Sequence, residues 1–128
     1  DYITGASLFI KRTTFNTEGG FDPKFFMYYE ETDLQKRMDD IGLLRYIIDG
    51  PKIVHLQGRS FSGSKPYQQK LLKLQSMFLY HKRHSNVISY YLLKLFYAFI
   101  YWPVIFVRRP FSDEAYLLFR LIVIKNKS

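Results

Sequence analysis

Residues 87–107 (VISYYLLKLFYAFIYWPVIFV) carry one charge, Lys94, in a run that is otherwise apolar, aromatic or neutral. A stretch of this length suffices for a helical span of roughly 30 Å, so the chain must either cover it or set it against a membrane. The pattern inside the run speaks against a plain crossing. Tyr90, Lys94, Tyr97 and Tyr101 recur at i, i+4, i+7 and i+11 as a polar-tipped stripe, Pro103 is expected to kink or end the helix, and Arg108-Arg109 follow. Tyr and Trp favour the headgroup level, so the run reads as an interfacial helix. The plainer alternative is that it packs on a catalytic domain or another subunit.

The flanking sequence is helical and basic. Leu71, Leu74 and Phe78 fall on one helical face, with Lys70, Lys73, Lys82 and Arg83 around it, and residues 113–125 form a last amphipathic helix with Asp113 and Glu114 in its first turn. Residues 51–128 hold thirteen Lys/Arg against two acids, whereas residues 1–50 hold nine acids against six Lys/Arg. An acidic half followed by a basic, aromatic half suggests two jobs. The first half is suited to hold a site, the second to face phosphates of a nucleotide, a nucleic acid or an anionic lipid. No nucleic-acid partner is expected, because the aromatics lie on apolar helical stretches and not on a strand platform. The complete absence of cysteine excludes a disulfide scaffold and any thiolate metal or redox site.

In the acidic half, residues 2–11 (YITGASLFIK) read as a buried strand, with Gly5 where backbone or ligand comes close. Thr13 and Thr14 are placed to cap a short helical turn ended by Gly19-Gly20, and Phe21-Asp22-Pro23 restarts the chain as a turn. The dense run Phe25-Phe26-Met27-Tyr28-Tyr29 leads into Glu30-Glu31-Thr32-Asp33. A helix is predicted from Thr32 to about Ile41, with Leu34, Met38 and Ile41 on one face, Arg37, Asp39 and Asp40 on the surface, and Gly42 at its end. Residues 43–48 (LLRYII) and 52–56 (KIVHL) read as two short strands around Asp49-Gly50-Pro51, and residues 57–66 as a Gly/Ser-rich loop.

Two constellations offer chemistry. Glu30, Glu31 and Asp33 crowd three carboxylates into four positions, which raises at least one pKa and makes a proton acceptor near neutral pH; equally, acids at a helix start serve simply as caps. His55, ahead of Gln57-Gly58-Arg59-Ser60, is suited to ligate a divalent metal while Arg59 and Lys65 meet a diphosphate; the alternative is a hydrogen-bonded strand histidine beside an ordinary loop.

In order along the chain stand Gly5-Ala-Ser with Lys11-Arg12, Gly19-Gly20-Phe21-Asp22, Phe25 through Leu34 with Arg37, Gly42, and His55-x-x-Gly58-x-Ser60. This ordered set resembles the acceptor-side half of inverting family 2 glycosyltransferases, in particular the rhamnosyltransferase-like branch, over residues 1 to about 65. The resemblance implies an α/β fold class, the C-terminal half of a GT-A fold in residues 1–65, followed by a helical, membrane-proximal extension in residues 66–128. It puts Glu31 in the place of the catalytic base, where the family usually has Asp, so the carboxyl stands one methylene further out. Glu30 and Asp33 match supports that orient acceptor and helix, Gly5 a position where the backbone passes the donor sugar, and His55 a histidine of the divalent-metal (Mg²⁺ or Mn²⁺) site. Arg59, in the basic loop that follows, is expected to meet the substrate diphosphate.

The implied partners are a nucleotide-diphosphate sugar and a glycan or lipid-linked acceptor in cell-surface polysaccharide synthesis, at the cytoplasmic face of a membrane. Because Asp-x-Asp is missing and the chain begins at Asp1, the expectation is a fragment that is inactive without an upstream nucleotide-binding half. The competing expectation is a non-catalytic membrane-surface or partner-binding helical module.

Overall fold

The chain folds into helices, and the computed structural model describes them over residues 3–54, 66–108 and 112–123. They fall into two compact units, Asp1–Gly63 and Ser64–Ser128.

In the first unit a 3-10 turn at Gly5–Ser7 precedes helix α1, Arg12–Thr17, and helix α2, Glu30–Asp40. Helix α1 ends as predicted at the glycine pair. Gly19 and Gly20 take φ of 73° and 66°, and the Gly20 N–H reaches back to the Phe15 carbonyl at 2.8 Å. Its start differs from expectation: Lys11 occupies the cap position without a side-chain bond, and Thr13 and Thr14 lie inside the helix. Helix α2 ends at Gly42, φ 80°, where the Leu43 N–H bonds the Met38 carbonyl at 3.0 Å. Leu34 and Met38 are buried with Phe25, while Ile41 is exposed.

The expected α/β architecture is not what forms. Among the described residues every regular element is helical and no strand is present. Residues 8–11, 43–48 and 51–54 are irregular, and β-branched or aromatic side chains there stand in solvent, with Ile47 93% and Val54 89% exposed. Strand propensity reports how well a side chain suits a pleated, half-buried surface, and a strand exists only when its N–H and C=O groups find a neighbouring ladder. These segments have the composition and no partner strand. The described residues therefore do not form the α/β GT-A half-fold; residues 55 and 56 of the second expected strand lie outside the described residues.

The second unit is built of α3, Pro66–His84, α4, Val87–Phe96, a π turn at Tyr97–Tyr101, α5, Trp102–Arg108, and α6, Asp113–Val123. Leu71, Leu74 and Phe78 of α3 meet Leu118, Leu121 and Ile122 of α6 in one apolar core, as the periodicity of α3 predicts. Asn86 caps α4, its side-chain oxygen accepting the Ser89 N–H at 2.8 Å. From Val87 to Arg108 the helix is continuous over 22 residues. Pro103 does not end it. Proline lacks an N–H and its ring crowds the carbonyl four residues back. The preceding turn relaxes into π geometry, with the Trp102 N–H bonding the Tyr97 carbonyl five residues back.

The tyrosine stripe faces the protein. Tyr90, Tyr97 and Tyr101 pack against the α3–α6 core, the Tyr97 hydroxyl donates to Met77 Sδ at 3.8 Å, and the Lys70 ammonium lies 5.0 Å over the Tyr101 ring. Polar tips on a helix thus mark its inner face here, where the Tyr97 hydroxyl meets Met77 and the Tyr101 ring meets Lys70.

Candidate carboxylate site

Helix α2 begins in an unusual way. Tyr28 and Tyr29 both take left-handed φ, 66° and 67°, a region that L side chains with bulky rings enter at a cost of about 1–3 kcal/mol each. The turn they make delivers Glu30 and Glu31 side by side into the first helical turn, and the Tyr29 carbonyl accepts the Asp33 N–H at 2.8 Å. Such strain persists only where the surroundings enforce it.

Two buried polar side chains, Gln35 and Asp33, tie the start of α2 to the segments around it. Gln35, 1% exposed, clasps the Ile3 backbone on both sides: its Oε1 accepts the Ile3 N–H at 2.7 Å and its Nε2 donates to the Ile3 carbonyl at 2.7 Å. The same Nε2 reaches the Glu31 carbonyl at 3.0 Å, so one amide ties the N-terminal segment to the start of α2. Asp33 is fully buried and accepts from Arg37 Nε at 3.0 Å; the Arg37 guanidinium then donates to the Gly20 carbonyl at 2.6 Å and to the Glu18 carbonyl. Arg37, expected on the surface, is the clamp between the end of α1 and α2. Asp33 is its counter-ion and has no open face, so its part is to hold the helix in place.

The clasp brings the N-terminal segment against the carboxylates. A methyl group added at Gly5 would meet the Glu31 side chain at 3.6 Å, an ordinary van der Waals distance. The close approach expected at Gly5 is thus an approach to Glu31, and it leaves room for alanine. Gly5 also lines a hollow of about 400 Å³ with Leu8, Ile10, Arg12, Phe15 and Phe21. Arg12 is the cation of this hollow. Its Lys11-Arg12 motif is visible in the sequence, yet only the fold sets it in a hollow shared with Gly5.

Burial pushes the Glu30 carboxyl above the ordinary glutamate range; a hydrogen bond from its own backbone N–H opposes this, and the neighbouring Glu31 charge adds to it. Desolvation, and not the carboxylate–carboxylate repulsion expected from spacing, is the larger cause. One oxygen of Glu30, Oε2, is buried with no hydrogen-bond partner among the described residues, so the carboxyl has a lone pair available for a proton or a ligand donor.

His55 and Arg59 lie outside the described residues, and their expected metal and diphosphate contacts are not placed. Among the described residues no group of three His, Asp or Glu is positioned to hold a metal ion. A second hollow, of about 470 Å³ in the other unit, is lined by Trp102, Phe106, Tyr116 and Phe119 with Asp113 as its one acid.

Comparison with known proteins gives this carboxylate pair a context: the chain has a distant, glycosyltransferase-like relationship. It is 29% identical over 86 residues to the N-acetylglucosaminyl-diphospho-decaprenol L-rhamnosyltransferase of two strains of Mycobacterium tuberculosis. The match covers 66% of this chain and 28% of those proteins, so the chain spans less than a third of the length of the curated relatives it matches. No family model matches, and no solved structure matches.

Proposed function

We propose that this chain carries the acceptor-activating part of an inverting, family 2 type glycosyltransferase. It serves transfer of a hexosyl or deoxyhexosyl group from a nucleotide-diphosphate sugar to a glycan or lipid-linked acceptor, in cell-surface polysaccharide synthesis. The observation that carries this reading is the strained, doubly clamped start of α2. It sets Glu31 against Gly5, and Gly5 lines the hollow that holds Arg12.

In this reading the Glu31 carboxylate takes the proton of the acceptor hydroxyl. The freed oxygen attacks the anomeric carbon from the face opposite the leaving group, forming the new glycosidic bond. The bond from that carbon to the diphosphate oxygen breaks, and its electron pair leaves on the nucleotide diphosphate. Arg12 is suited to stabilise that departing charge. Glu30, whose burial favours the neutral form, is suited to bond the acceptor without competing for the same proton. His55 remains the proposed metal ligand and Arg59 a proposed diphosphate contact; a divalent ion there would neutralise phosphate charge. The name of the mycobacterial relatives, with its diphospho-decaprenol acceptor, supports a lipid-linked acceptor, which a peripheral position at the cytoplasmic membrane face would suit.

The test is made in the full-length protein that carries these residues. Glu31→Gln is expected to lower transfer by roughly 10²–10⁴-fold while nucleotide-sugar binding stays nearly unchanged. Equal loss of both would make Glu31 structural. Full transfer by the variant would remove Glu31 from the chemistry, and no transfer by the unsubstituted protein would favour the second reading, a non-catalytic membrane-surface module, for which the exposed apolar helix of the second unit speaks.

A further inference from the structure

The helix Val87–Arg108 has two apolar faces. One packs on α3 and α6 through Tyr90, Leu93, Tyr97, Trp102 and Ile105. The other stands open: eleven of its large hydrophobic side chains are exposed, among them Ile88 at 73%, Leu92 at 60%, Phe99 at 75% and Val107 at 80%. They run the length of the helix, about 33 Å at 1.5 Å per residue. Soluble monomers rarely leave a contiguous apolar patch beyond roughly 300–600 Å² uncovered.

Charge identifies the occupant. Residues 66–108 hold six Lys/Arg and no Asp or Glu. Lys82 and Arg83 stand exposed just before the helix and Arg108 at its end, so cations bracket the apolar face. That pairing matches an anionic lipid surface, where apolar side chains enter the acyl boundary and cations meet headgroup phosphates.

The inner face decides the orientation. Were this helix to cross the bilayer, α3 and α6 would enter the hydrocarbon with it. The Lys70–Glu114 ion pair, 3.0 Å long and stacked against Tyr101, would sit within the span, as would Lys94 beside the Lys82 charge. Ionised groups at that depth carry a heavy penalty. With the helix lying flat, the same groups stay on the water side.

We infer that Val87–Arg108 is an in-plane membrane anchor, its Ile88–Leu92–Phe99–Val107 face sunk into the surface of an anionic bilayer with α3 and α6 above it. This deepens the membrane part of the proposed function and is independent of the sugar-transfer chemistry; Glu31→Gln is expected to leave it untouched.

The chain contains no cysteine, so Ile88→Cys, Leu92→Cys, Phe99→Cys and Val107→Cys each introduce a single site for a spin label in the full chain. Label depth is then measured on vesicles of equal parts phosphatidylcholine and phosphatidylglycerol. The expected result is one common shallow depth, about 5–10 Å below the headgroups, at all four positions. A depth that increases toward the middle of the helix and falls again at its far end means a crossing and overturns the inference, while leaving membrane location intact. Four labels that remain in water on bound or unbound protein overturn both and point to a protein occupant, such as a second copy. The combined change Lys82→Gln, Arg83→Gln and Arg108→Gln is expected to weaken vesicle binding roughly a hundredfold at low salt. Unchanged binding overturns the anionic-surface assignment.

Discussion

The two units are held together by opposite means. In Asp1–Gly63 only three hydrophobic side chains, Phe25, Leu34 and Met38, are buried among the described residues, and the helices are tied by Gln35 and by the Asp33–Arg37 clamp. In Ser64–Ser128 the tie is an apolar core between α3, α6 and the long helix, with the Lys70–Glu114 pair at its edge. Polar clamps are directional and fix a backbone geometry; apolar packing is tolerant of direction and fixes a volume. The carboxylate site belongs to the unit built on direction, and the long helix with its open apolar face to the unit built on volume.

The contrast is broken most directly at Arg37. Arg37→Leu leaves the Asp33 carboxylate buried without its cation, and the expected loss is about 3–5 kcal/mol. Amide exchange should rise across α1 and α2 and stay unchanged in α3 and α6; equal protection before and after would remove the clamp from the account. Leu118→Ala is the counterpart in the second unit. Leu118 is 1% exposed in the α3–α6 core, and truncation there is expected to cost about 2–5 kcal/mol, with the exchange pattern reversed. Gln35→Leu should be milder, about 1–3 kcal/mol, because it unpairs the Ile3 N–H and carbonyl in a part-buried place without stranding a charge. Its sharper readout is local: the N-terminal segment should leave Glu31, so exchange at Ile3 should rise before that of α2.

How legible each unit was follows from the same difference. The α3 face Leu71–Leu74–Phe78 and the stops at Gly19-Gly20 and Gly42 are local patterns, settled by helical period and glycine φ within a few residues. The clamp was not legible. Asp and Arg are by default surface residues, and nothing in the spacing of Asp33 and Arg37 says that the arginine also reaches Glu18 and Gly20. Nor does the run Phe25–Tyr29 announce two left-handed tyrosines. The expected strands failed for a third reason: LLRYII and KIVHL carry strand-like composition, but pairing is a property of two segments and cannot be read from one. In the long helix the Tyr90–Tyr97–Tyr101 stripe was visible, and its direction was not.

The smallest effect separates the units by sign. Glu30 in the first unit has a carboxyl raised above its ordinary value of 4.5, chiefly by burial. Below 4.5 it is protonated folded and unfolded alike, and its contribution is fully present. As pH rises, the unfolded chain ionises first, so the first unit loses stability until the folded carboxyl has titrated. His81 in the second unit is lowered from its ordinary 6.5, again by burial, with its Nδ1 at 2.8 Å from the Ser85 hydroxyl. Above 6.5 it is neutral in both states. As pH falls, the unfolded chain takes the proton first, and the second unit loses stability until the folded imidazole has titrated. Both groups keep substantial contact with water, so each slope is shallow. Residue-resolved exchange, corrected for intrinsic rates, should show α2 loosening toward neutral pH and α3 loosening toward acid. Glu30→Gln should flatten only the first slope and His81→Gln only the second. A common slope in both units, or one that survives its substitution, would mean that the whole-chain charge of +8, and not these two half-buried side chains, governs how the protein answers to pH.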